Sequence, residues 1–170
     1  MGKQVLRRGF AATAVLTALG GTALATAGVA GAMPTDEGQC NQEQVHVEVT
    51  QEAGGAMGHH ADVLHYTAAT PDVRCVMQGA PTATVFFDGG GAPLGVPTSQ
   101  AAGTGDRQVT IDATHSACSY VIIADGDGPG PQVSGLSFAL PSGGVDTVTQ
   151  VAWPAPDLTG DVQFGAVEQA

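Results

Sequence analysis

The sequence predicts an all-β fold, a single immunoglobulin-like β-sandwich behind a cleavable N-terminal export segment. Three observations carry this. Short stretches alternate apolar and polar residues with a period of two, the mark of a half-buried strand. Clusters of Gly, Pro and Asp separate them at the intervals of a sandwich or barrel. After the leader, no stretch sustains a 3.6-residue apolar period over the length of a helix.

The leader spans residues 1–32. Lys3, Arg7 and Arg8 precede an uncharged run from Gly9, and the small residues Ala30-Gly31-Ala32 point to cleavage before Met33, with cleavage after Ala27 as the alternative. The run is too rich in Ala, Gly and Thr for a transmembrane helix. Arg7-Arg8-Gly9-Phe10 is similar to a twin-arginine signal, but Leu6 replaces its usual hydroxyl residue, so the general secretory route is the first expectation. Glu37-Gly38-Gln39 before Cys40 is no lipobox, and a lipid anchor is not expected. Residues 33–39 form a flexible segment and residues 40–168 the domain.

Within the domain, Val45-His46-Val47-Glu48-Val49 alternates cleanly, valines inward. Asp62–Ala68 puts Leu64 and Tyr66 on one face and Val63, His65 and Thr67 on the other. Thr70-Pro71-Asp72 is turn chemistry, because proline presets its own φ and restricts the residue before it. Thr82–Phe87 follows, then the Gly-rich turn Asp88–Gly91; this strand and the previous one form either an antiparallel pair or a crossover. Further strands are expected at 108–113, 117–124, 132–140, 147–153 and 162–167, making seven to nine strands in two sheets.

The spacing of Gly58, Leu64-x-Tyr66-Thr67, Cys75-x-x-x-Gly79-x-Pro81, an apolar strand, and Asp88 before Gly91 resembles the domain-of-unknown-function family numbered 4232, with Cys40 as the cysteine that opens the domain. The resemblance is concentrated in about forty residues. Ala68 and Ala80 depart from the family's usual Asn and aromatic residue. The resemblance implies a secreted all-β domain of high-GC Gram-positive bacteria with no agreed activity.

Charge narrows the partners. Arg74 and Arg107 are the only Lys or Arg residues after the leader and face sixteen Asp and Glu, a net charge of −14. Such a surface repels nucleic acid and anionic lipid, so neither nucleic acid nor, after signal cleavage, a membrane is expected. A monomer with an envelope or extracellular ligand is.

The cysteines Cys40, Cys75 and Cys118 permit one internal bridge, as suits an exported protein. Loop entropy favours none of the pairings strongly. Cys118 lies in the apolar run 117–124 and packs as a small hydrophobe, whereas Cys40 and Cys75 lie at segment edges, so the bridge Cys40–Cys75 is expected.

Met57, His59, His60 and His65 are the candidate metal ligands, with Asp62 among them and Met77 and His46 within reach across the fold; imidazole and thioether together suit copper. Neighbouring His59 and His60 point to opposite sides of an extended chain, which favours solvated histidines and no cofactor. Asp125–Gly130 reads as a turn before it reads as a calcium loop. For nucleophilic catalysis the candidates are Cys75 or Cys118 with His115, or a serine such as Ser116, without a Gly-x-Ser-x-Gly elbow; Cys118 near His115 is the one case worth stating, no catalytic residue is assigned and no enzyme is expected. Phe86 and Phe87 are adjacent, so one faces away from the core and offers a small apolar patch. The expectation is a secreted non-catalytic binding or structural module, with an extracytoplasmic copper-type binder as the alternative.

Overall fold

Twelve strands follow one another in the computed structural model, which describes residues 37–52, 58–102, 105, 107–141, 147–154 and 157–170. They are β1 (Val45–Gln51), β2 (His59–Ala68), β3 (Cys75–Gln78), β4 (Thr82–Phe87), β5 (Pro93–Leu94), β6 (Thr98–Gln100), β7 (Gln108–Ile111), β8 (Ala117–Ala124), β9 (Gly135–Ala139), β10 (Val148–Ala152), β11 (Val162–Phe164) and β12 (Glu168–Gln169). No α-helix occurs among the described residues. The expected leader and Met57 lie outside them.

The strands form three sheets rather than the two expected. The largest runs β1-β2-β8-β11-β6, with β12 also on β8; the second runs β10-β9-β4-β5; β3 and β7 pair by themselves. β2 and β4 lie in different sheets, so the chain between them is a crossover. The chain between β2 and β4 contains the short strand β3, and Cys40 is bonded to Cys75 there. Beside it the Cys40 amide donates to the Val76 carbonyl at 3.0 Å and the Val76 amide to the Gly38 carbonyl at 3.1 Å.

One core unites the sheets. Leu64 and Tyr66 from β2, Val121 and Ile123 from β8, and Val162 and Phe164 from β11 are fully buried, and they pack with Phe86, Leu136 and Phe138 of the second sheet and with Met77 and Ile111 of the third. The Phe86 ring makes the join: it meets the Trp153 ring edge-on at 5.1 Å and stacks on Phe164 at 6.4 Å. Burying each such ring contributes about 1.5–3 kcal/mol.

Two irregularities come from residue counting. β4 carries one residue more than β9 between Thr82 and Val85, and Ala83 absorbs it at φ 50°, an unfavourable left-handed conformation for a residue with a Cβ. In the turn after β4, Gly91 sits at φ 80°, and the Asp88 carboxylate accepts the Gly90 and Ala92 amides at 2.8 Å each. That turn needs both residues, one for its conformation and one for its hydrogen bonds.

Candidate binding groove

The outer face of the largest sheet is set by register. Val63 pairs with Tyr120 and Ala61 with Ile122, so these four side chains lie opposite the buried row of Leu64, Tyr66, Val121 and Ile123. This face is not flat. Phe164 stands across from Val121 and Glu168 across from Cys118, so Gly165, Ala166 and Val167 oppose only Ser119 and Tyr120. The extra residue is a β-bulge, which bends its strand away from the sheet.

Beside the bulge lies a groove of about 490 Å³. Ala61, Tyr120 and Ile122 form its floor, Ala101, Ala102 and Gly165–Val167 its walls, and Arg107 and Glu168 supply its charges. Main-chain bonds fix both walls: the Ala101 amide donates to the Phe164 carbonyl at 3.0 Å, the Gly165 amide to the Tyr120 carbonyl at 2.8 Å and the Val167 amide to the Gly79 carbonyl at 2.7 Å. A Cβ on Gly165 would sit 3.3 Å from the Tyr120 carbonyl oxygen, so a larger residue there would push the wall outward. The Tyr120 ring is one of three large apolar side chains exposed among the described residues. Its hydroxyl pKa is raised by the neighbouring Cys118, Glu52 and Glu168, so it stays a neutral donor at pH 7.

The two cations of the domain are used differently. Arg74 is bound to Glu37 and reaches the Asp112 carboxylate at 3.4 Å. Arg107 pairs with no carboxylate among the described residues.

The candidate metal ligands are not brought together. His59 and His65 share a face, but six residues of strand separate them by about 20 Å. His60 faces the other way and meets Asp125 at 3.2 Å, while His65 Nε2 is 2.8 Å from Thr50 Oγ1. His46 is exposed on β1 and Met77 is sealed in the core. No group of three His, Cys, Asp or Glu side chains is arranged for a metal among the described residues.

The nucleophile candidates are likewise apart. Cys75 is in the bridge, and Cys118 is free but buried; burial, then Glu168 and Glu52, pushes its thiol pKa up, away from the reactive thiolate. His115 lies on the loop before β8, its Nδ1 2.9 Å from Asp112. The same carboxylate accepts the Thr114 amide at 2.8 Å and the His115 amide at 3.0 Å, which lowers its pKa, the Thr114 amide foremost. This cluster closes a turn. Of the adjacent phenylalanines, Phe86 is buried and Phe87 half-buried against Pro93; Val85 is the exposed neighbour.

Nothing in the sequence marked the groove, whose lining is scattered from residue 61 to residue 168. The two usable signals were the glycine directly after an apolar strand, at Phe164-Gly165, and the scarcity of cations that singles out Arg107.

Fold and site together define a disulfide-bridged all-β domain with a preformed surface groove. A model of the family described as domain of unknown function DUF4232 matches residues 40–168, and the chain belongs to that family. No curated protein and no solved structure matches it.

Proposed function

We propose that the chain is an exported, non-catalytic binding module of the cell envelope, its sheets forming one immunoglobulin-like sandwich after removal of residues 1–32. The observation that carries the binding role is the groove over Tyr120 and Ile122: concave, floored by apolar side chains, with a few polar groups converging on it and both walls fixed by main-chain bonds. Ligand sites have this composition and a volume of roughly 300–1,000 Å³. The Cys40–Cys75 bridge supports export, because such bonds persist outside the reducing cytoplasm. Core packing shared by the three sheets supports the sandwich.

Amide chemical-shift mapping with a panel of small apolar compounds tests the binding role. The expected shifts gather on Ala61, Ala101, Tyr120, Ile122 and Gly165. Shifts scattered over the surface, or none, would sink it. For export, the mass of the secreted protein should begin at Met33, with one cysteine alkylated only after unfolding; an uncleaved chain in the medium contradicts that part.

A further inference from the structure

We infer that the groove takes a small apolar zwitterion, a free amino acid or dipeptide with an aliphatic side chain. This rests on the binding role proposed above and deepens it. Arg107 and Glu168 both line the groove, yet neither pairs with the other or with any other charged side chain among the described residues. With two cations against sixteen carboxylates after residue 32, a guanidinium that has no carboxylate partner among the described residues is the scarce group. Arg74, the other cation, is held by two carboxylates.

Opposite charges that flank one cavity without meeting satisfy a ligand that carries both signs. A guanidinium matches a carboxylate by two parallel hydrogen bonds, and a carboxylate accepts from an ammonium. A simple anion would gain Arg107 and be repelled by Glu168; a simple cation would meet the reverse. The space between them is apolar: Ala61, Ile122 and the face of Tyr120 form the floor, and Ala101 and Ala102 the wall. Short side chains there leave room for the ligand's own, and an aliphatic group over Tyr120 and Ile122 supplies the contact area. The walls are already hydrogen-bonded, so little ordering opposes binding.

The test is titration of the folded, disulfide-bonded protein with leucyl-leucine, its N-acetyl and C-amide derivatives, and neutral isocaproamide, followed by amide chemical shifts. Leucyl-leucine should saturate with a Kd at or below about 1 mM and shift Ala101, Tyr120 and Gly165. Each capped derivative should bind about tenfold more weakly, as befits the loss of a charge-assisted hydrogen bond. Arg107→Gln should abolish the effect of amidation while keeping that of acetylation, and Glu168→Gln the converse; unchanged shifts elsewhere verify that both variants are folded. Equal affinity for leucyl-leucine and isocaproamide at the groove overturns the zwitterion while leaving the binding role intact. Absence of groove shifts with every probe overturns both.

Discussion

The two faces of the largest sheet are built from the same strands and do opposite work. On the inner face Leu64, Tyr66, Val121, Ile123, Val162 and Phe164 are sealed against the other sheets. On the outer face Val63 and Cys118 are buried, but His59, Ala61, Tyr120 and Ile122 are half-buried or exposed, and the bulge at Gly165–Val167 hollows the surface. Period-two alternation assigns a side chain to a face, but a cavity needs a break in the alternation. The inner face tolerates almost none; its buried polar residues are Ser119 and Asp62, and Asp62, 1% exposed, is the charged one, whose two carboxylate oxygens have no hydrogen-bond partner among the described residues. The outer face is organised by its break.

Substitutions should separate the faces by size of effect. Phe86→Ala, which removes the ring between Trp153 and Phe164, should cost about 3–5 kcal/mol in urea unfolding; a loss below 1 kcal/mol would mean the sheets do not share a core. Replacing Cys40 and Cys75 together should cost about 2–5 kcal/mol, consistent with a sequence separation of 35 residues, and should leave Cys118 unreactive in the native state.

Asp62→Leu should instead stabilise the protein, by about 1–3 kcal/mol at pH 7, because it removes a buried polar group with no partner. Burial raises the carboxyl pKa above its ordinary 3.8, an effect partly offset by His60. The protonated form is therefore the one the fold accepts. Its contribution is complete below pH 3.8 and lost as pH rises through the raised value. The advantage of the leucine variant should shrink on acidification towards pH 4, and a constant gap across that range would show that the folded carboxyl titrates normally. Ala83→Gly, relieving the left-handed φ at the β4 bulge, should add less than about 1 kcal/mol. Tyr120→Ala should be smallest in stability, within about 0.5 kcal/mol, while abolishing the groove shifts; a large loss would turn the outer face into a second core.

Much of the fold was legible beforehand, for local reasons. The alternation of Val45–Val49, the turn at Thr70–Asp72 and the strands at 82–87 and 117–124 follow from spacing and from residues with restricted φ. Gly58, Gly79 and Gly91, all among the positions that carry the family resemblance, have positive φ in the structure, so these parts of the pattern are backbone requirements. Short strands without alternation were missed: Thr98–Gln100 is wholly exposed and exists only because Phe164 and its neighbours offer a parallel edge. The number of sheets escaped the sequence for the same reason, since β3 owes its pairing to β7, thirty residues or so away in the chain.

The sequence by itself determined the strand class, the acidic surface and the residues able to form turns, because each rests on interactions within a few neighbours or on composition alone. Only the tertiary structure decided which strands share a sheet, that Asp62 faces inward without a partner, and that Arg107 and Glu168 flank one groove. Those outcomes depend on register between distant strands, where one extra residue at Gly165–Val167 reshapes a surface without leaving a periodic trace in the chain.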